Sequence, residues 1–339
     1  MFVIATTVDR LRILLVSDLH GSSMAFGKLS NAIKFYKADI VVLAGDLTGK
    51  ALVPIVREDG SFSVTNGVSK YLVNVFGDVK SVNDGELDNV IKRLRARGYY
   101  PVVVDKAGYE ELASSRERVR DTFIKLMIEA LEEDLGKVET RYREAGVKLL
   151  LMPGNDDYQE IADYVRRRAS DVLIPIDEDV VEINGYHFLG FGYSTPTPWH
   201  TPREVSEEDL RARVEKLIGN VDKSRLGKLI LVIHDPPNNT LIDQAYQLDK
   251  DFKPVIRGGE VLRTHVGSKS VRALIEEYSP LMGLHGHVHE SPGIDYIRSR
   301  AGAKVPVVNA GSEYSEGVLR MAYLIVEGNR LKNYFLLRG

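Results

Sequence analysis

The sequence predicts an α/β fold, a largely parallel sheet with helices on its faces and a second sheet behind it, giving a layered sandwich. Three observations predict it. Short apolar, β-branched runs recur, each ending abruptly in polar or glycine-rich residues, as strands buried on both faces do. Helical spacing of apolar residues fills the gaps between several of them, and strand alternating with helix implies parallel pairing. Past about residue 180 the predicted strands crowd together, which calls for a second sheet.

In order, the buried runs are Ile13–Val16 before Ser17-Asp18-Leu19-His20, and Ile40–Ala44 before Gly45-Asp46. Lys148–Met152 precedes Pro153-Gly154-Asn155-Asp156-Asp157, and Leu229–Ile233 precedes His234-Asp235-Pro236-Pro237. Leu281–Leu284, before His285-Gly286-His287, is a fifth. Ala25–Tyr36, Glu86–Arg97, Asp121–Leu135, Ile161–Arg168 and Ser268–Tyr278 carry helical patterns. Further strands are expected at Tyr186–Gly190, Val305–Asn309, Leu319–Val326 and Leu331–Leu337. Residues 50–145 interrupt the plan with a hairpin, Leu52–Val56 and Ser61–Val64, turning on Asp59-Gly60. No Pro/Gly/Ser-rich linker borders this segment, so the expectation is a single domain over 1–339 with an insertion at about 50–145.

Composition narrows the chemistry. The absence of cysteine excludes disulfides, thiolate metal sites and a Cys nucleophile. A net charge of −3 advertises neither extended nucleic acid nor an anionic membrane as partner. The basic runs Arg93/Arg95/Arg97 and Arg166/Arg167/Arg168 read as solvated helix faces. The start, Met1-Phe2-Val3-Ile4-Ala5, lacks the form of a signal peptide, and no run approaches the roughly 18 apolar residues of a membrane span. A cytoplasmic protein is expected.

Ligands of parallel α/β sheets bind beyond the carboxyl ends of the strands. That edge would collect Asp18, His20, Asp46, Asn155, His234, His287 and His289. Two carboxylates, an amide and four imidazoles suffice for two divalent ions about 3.5–4 Å apart that share one carboxylate. The set suits Mn²⁺ first, with Zn²⁺, Fe or Ni²⁺ as alternatives, and disfavours Ca²⁺. Any one of the seven has a bland explanation as a polar residue at a strand end; all seven together do not. In Gly286-His287-Val288-His289 two imidazoles two apart on an extended chain would face one side, with Gly286 admitting a close backbone approach. Among the other histidines, His285 reads as a core residue. His265, ahead of Gly267-Ser268, either faces a phosphate together with helix N–H groups or merely precedes a Ser N-cap. His200, beside Trp199, lies in a loop that either lines the cleft or is plain surface.

The ordered motifs Asp18-Leu19-His20, Gly45-Asp46, Gly154-Asn155-Asp156-Asp157, His234 and Gly286-His287-Val288-His289 resemble those of the calcineurin-like metallophosphoesterases. Within that family they look closest to the Icc-related branch of predicted phosphoesterases, as does Asn309-Ala310-Gly311-Ser312-Glu313-Tyr314. The resemblance implies a four-layer α/β-β/α sandwich, metallophosphoesterase-like. It implies one metal on Asp18, His20 and His289, another on Asn155, His234 and His287, and Asp46 bridging both. The implied reaction is hydrolysis of a phosphate ester by a metal-bound hydroxide attacking in line.

There is one departure. Where the family has a histidine that protonates or stabilises the leaving oxygen, this chain has Asp156. A carboxyl beside two cations should lose its proton rather than give it. Either the ester has a good leaving group (aryl, phosphoanhydride or nucleotide diester), or His265 or His200 substitutes. The candidate catalytic residues are therefore Asp46, Asp156 and His265. The expected partner is a small phosphorylated substrate of the nucleotide kind, with no membrane; the insertion either overhangs the cleft or mediates homo-oligomer formation. The competing readings are a nuclease of the same superfamily and a non-catalytic metal-binding scaffold.

Overall fold

The computed structural model describes residues 10–49, 51–58, 61–64, 83 and 85–339; the N-terminal Met1–Ala5 and the turn Asp59-Gly60 read above lie outside them. β1 (Arg10–Val16) and β2 (Ile40–Ala44) pair in parallel, with α1 (Ser23–Tyr36) as their crossover. The Ser22 hydroxyl starts α1 by accepting the Ala25 N–H, and Lys37 ends it in a left-handed conformation. The chain then forms an antiparallel pair, β3 (Ala51–Glu58) and β4 (Ser61–Val64), followed by α2 (Leu87–Ala96). β5 (Tyr99–Asp105) returns parallel to β3, completing a small third sheet, and α3 (Lys106–Ala113) follows.

The 30-residue α4 (Arg116–Ala145) leads back to β6 (Lys148–Met152), beside β2. It is the crossover from β2 to β6 as well as the end of the inserted segment. Its stripe of Met127, Leu131, Leu135, Val138 and Tyr142 shares a core with Phe26, Leu29 and Ile33 of α1. Arg95, expected on a solvated helix face, instead lies 3.6 Å from the buried Asp134 of α4, and Arg168 reaches Glu139 of α4 at 3.0 Å.

α5 (Gln159–Arg167) and β7 (Leu173–Pro175) finish the first half. β8 (Asp179–Ile183), β9 (Tyr186–Phe191), α6 (Glu207–Ile218) and β10 (Leu229–Ile233) open the second. An excursion of short strands follows: β11 (Gln244–Tyr246), β12 (Ile256–Arg257), β13 (Glu260–Val261) and β14 (Arg263–His265). Then come α7 (Lys269–Tyr278), β15 (Met282–His285), β16 (Gly293–Arg298), β17 (Lys304–Asn309), β18 (Arg320–Glu327) and β19 (Arg330–Arg338).

Two six-stranded sheets result, ordered β19-β18-β1-β2-β6-β7 and β16-β17-β15-β10-β9-β8. Alternation along each strand sets the layers. Ile13 and Leu15 of β1, with Val42 and Ala44 of β2, meet Phe188, Ile230, Val232 and Met282 of the other sheet in an apolar interlayer. Leu14 and Val16 point the other way, onto α1 and α4. The outer face of the second sheet, Leu189, Leu231 and Ile233, is covered by Leu210 and Val214 of α6 and Leu274 of α7. The order is helices, sheet, sheet, helices: the four-layer α/β-β/α sandwich. Each fully buried aliphatic side chain contributes about 1.5–3 kcal/mol, which is why β2 and β10 carry apolar residues at every position. Among the described residues no helix is long and apolar enough to cross a membrane.

Candidate metal centre

β1, β2 and β6 are neighbours in one sheet, and β10 and β15 are neighbours in the other. The residues just past their carboxyl ends are the seven read as metal ligands, and the structure brings all seven together. Asp18, His20, Asp46 and His289 each offer a donor atom within 4.8 Å of the others. His20 Nε2 is 3.1 Å from His289 Nε2, and His289 Nε2 is 3.4 Å from Asp18 Oδ1. On the other side Asn155 Oδ1 is 3.0 Å from His234 Nε2 and 2.8 Å from His287 Nδ1. Asp46 Oδ2 stands between the two groups, 3.5 Å from His20 Nε2 and 3.5 Å from His234 Nε2.

The backbone is bent to make this possible. Asp18, His20, Asp46 and His287 all have positive φ, between 42° and 68°. Non-glycine residues rarely adopt this region, and such strain gathers at functional sites. His287 departs from the extended chain expected for it, because β15 stops at His285 and the left-handed turn at His287 sends the two imidazoles to different sides of Asp46. Hydrogen bonds stitch the loops: Asp18 N–H to Gly45 O at 3.0 Å, His20 N–H to Asp46 O at 3.0 Å, and His287 N–H to the Asp18 carboxylate at 3.1 Å. At Gly286 a Cβ would come 2.7 Å from Asp18 Oδ2, so glycine is needed for the close approach.

The donor set fits divalent cations. His20 Nδ1 lies 3.3 Å from Thr48 O and His234 Nδ1 lies 2.7 Å from Ala44 O. A backbone carbonyl only accepts, so each Nδ1 carries a proton and each Nε2 faces inward, where its lone pair would serve a cation that displaces any second proton. Burial works against a charge on His234, but the carboxylates of Asp46 and Asp18 outweigh it and push its pKa up to about 10. Two buried carboxylates drawing a proton inward mark a site short of positive charge, which a bound cation would supply. Burial, aided by His234, holds His287 down at about 4, so its imidazole stays neutral as a ligand must be.

Asn155 is oriented by residues that sequence reading passed over. Its Nδ2 donates to Thr201 Oγ1 at 2.8 Å, and the Thr201 hydroxyl lies 2.7 Å from Glu204 Oε1. Burial pushes the Glu204 carboxyl up, but bonds from Thr197 and Thr201 hold it below its ordinary value, so it is ionised and acceptor-only. Thr201 must therefore donate to Glu204 and accept from Asn155, which turns Asn155 Oδ1 toward His234 and His287. The buried Arg203 fixes the backbone here: its N–H donates to Asn155 O at 3.1 Å and its guanidinium reaches Gly154 O at 3.3 Å. Thr201→Val should weaken metal binding on the Asn155 side by about 10–100-fold, while Thr201→Ser keeps it, as read by metal titration. The only signal for this loop was its Pro-rich composition around Trp199.

The remaining candidates divide. Asp156 donates its backbone N–H to Asp46 Oδ1 at 3.0 Å, and its partly exposed carboxylate lies 3.8 Å from His20 Nδ1. Asp157 is wholly buried and accepts from the N–H groups of Leu47, Thr48 and Gly154 and from the Thr48 hydroxyl, joining two ligand loops. His265 pairs its Nδ1 with the buried Asp243 at 2.7 Å. The phosphate reading of the following helix fails, because Ser268 caps α7 and Glu207 already accepts the Lys269 and Ser270 N–H groups. His200 is exposed on its loop, and His285 is a core residue bonded to Ile233 O at 2.8 Å. Tyr314, at the end of the Asn309–Tyr314 motif, packs its ring 4.6 Å from that of His20 and 5.9 Å from that of His289.

No protein-family model matches the chain. An uncharacterized protein of Methanocaldococcus jannaschii is 35% identical over 150 residues, which is 44% of this chain and 59% of that protein. The chain thus spans less than two thirds of that relative. The solved structure of TT1561 from Thermus thermophilus aligns with 97% of this chain and 99% of its own, at TM-score 0.50 and 15% identity. That of the calcineurin-like phosphoesterase YfkN from Bacillus subtilis aligns with 97% of this chain and 90% of its own, at TM-score 0.37 and 11% identity, too remote to carry an argument. At these identities the likeness concerns fold. Layer order, with ligand-type residues past three strands of one sheet and two of the other, matches the α/β-β/α sandwich expected from the sequence.

Proposed function

We propose that the chain hydrolyses a phosphate ester with two divalent ions, Mn²⁺ first among the candidates. Asp18, His20 and His289 would hold one, Asn155, His234 and His287 the other, and Asp46 both. The observation that carries this is the placing of Asp46 Oδ2 at 3.5 Å from an inward-facing imidazole nitrogen on each side. Bound there, the pair would neutralise the ester's oxygens and acidify water between them.

The chain's own groups supply the rest. His20 and His234 keep their protons on Nδ1 against Thr48 O and Ala44 O, so neither imidazole can act as the acid. Thr201 and Glu204 hold the Asn155 amide, and Tyr314 covers the flank formed by His20 and His289. With a carboxylate at Asp156, where the leaving oxygen would otherwise meet a histidine, that oxygen departs with little help. The substrate is therefore an ester with a good leaving group, of the aryl, phosphoanhydride or nucleotide kind. The one-domain reading belongs to the same proposal, supported by the core that α4 shares with α1.

A panel of monoesters, diesters and cyclic nucleotides, run with several metals, tests the reading. A steep fall in rate as the leaving-group pKa rises is the expected result. A flat dependence would mean that a protein acid serves the leaving oxygen after all.

A further inference from the structure

Trp199, the chain's single tryptophan, stacks on Phe252 with ring centroids 4.9 Å apart and planes 28° apart, yet the two residues remain 46% and 51% exposed. Stacked aromatics from two separate loops, each with its outer face open, are an unusual use of apolar surface. The roots of the loops say where the pair stands. Trp199 is two residues from Thr201, which accepts from Asn155, and so within roughly 7 Å of chain. The same loop is pinned at its start, where Thr195 donates to the carboxylate of Asp235, the neighbour of His234.

Phe252 sits in the turn of Asp249–Lys253, where the Asp249 carboxylate accepts the Asp251 and Lys253 N–H groups. That excursion is fastened beside His289: Tyr246 N–H donates to Glu290 Oε1 at 3.0 Å, Arg263 reaches Glu290 O at 3.3 Å, and Ser291 Oγ donates to Gln244 O at 2.6 Å. One loop thus rises from the Asn155/His234 side of the cluster and the other from the His289 side. Their tips meet as the aromatic pair.

We infer that Trp199 and Phe252 form a stacking platform for a planar aromatic group carried by the phosphorylated substrate, a nucleobase or aryl ring. This rests on the phosphoester reading of the metal centre and narrows its substrate class. A base laid on an open face extends the stack, and each such contact is worth roughly 5- to 150-fold in affinity. A contact serving only to latch the two loops together would have no preference for a ring on the ligand.

Because Trp199 is the only tryptophan, its fluorescence reports on the platform without turnover. Titrating the metal-loaded protein with adenosine 5′-monophosphate should quench the emission saturably, whereas ribose 5-phosphate should leave it unchanged. Phe252→Ala, a change at an exposed turn, should weaken adenosine monophosphate binding by at least about five-fold. An equal response to both probes, no response to either, or undiminished binding in Phe252→Ala would overturn the inference. Saturable binding of the nucleotide by a protein that hydrolyses no ester would leave the platform standing and sink the phosphoesterase reading instead.

Discussion

Asp46→Asn should abolish turnover, by about 10³-fold or more, while the protein stays folded. The substitution keeps size and shape, and the amide oxygen can still accept the Asp156 N–H that Asp46 Oδ1 accepts at 3.0 Å. What changes is the other atom. An NH₂ group would replace Oδ2 at the point 3.5 Å from both His20 Nε2 and His234 Nε2, and it would donate to those lone pairs instead of sharing a cation with them. Both metal positions lose their common anionic ligand at once. Metal content per chain should fall from two toward zero, measured on dialysed protein, with the thermal midpoint of the metal-free forms little changed. Full activity in the variant would refute the bridging assignment.

Gly45→Ala should strike the same centre through the backbone. Gly45 has φ of +108°, outside the range of L side chains, and its added Cβ would lie 2.2 Å from His234 Nδ1. That nitrogen holds the ring by its bond to Ala44 O, so the imidazole must swing away or the turn must unwind. The expected cost is about 2–4 kcal/mol of stability, read from the urea midpoint, together with loss of metal on the Asn155 side. A variant with unchanged midpoint and full metal content would show that the turn has slack that the geometry denies.

Much of this was legible in the chain because parallel strands advertise themselves twice. A run such as Ile40–Ala44 is apolar at every position since both faces are covered, and it stops sharply because the loop beyond it faces solvent or a ligand. Reading the polar residues at those stops gave the seven that the fold brings together. Partners set by tertiary contact were not legible. Thr201 and Glu204 lie in a loop without periodicity, and the amide they hold is 46 residues away. The parallel pairing of β3 with β5 joins segments distant in the chain, and nothing local signals it. α4 runs well beyond Asp121–Leu135 because its first and last turns are charged and paired rather than apolar. α6 is a different lesson, since Leu210, Val214 and Ile218 stand at helical spacing but are hidden among charged neighbours of both signs. At His287 the period of a strand was the wrong rule, because the chain had already left the sheet.

The central claim is a two-metal centre that breaks phosphate esters. It is tested most directly by counting Mn²⁺ bound per chain while following hydrolysis of bis-p-nitrophenyl phosphate as the metal is added back to chelator-treated protein. Turnover should be absent without metal and should appear only as the second ion binds, reaching its plateau at two per chain. Hydrolysis that survives the chelator, or two tightly bound ions with no hydrolysis of any ester in the panel, would contradict it.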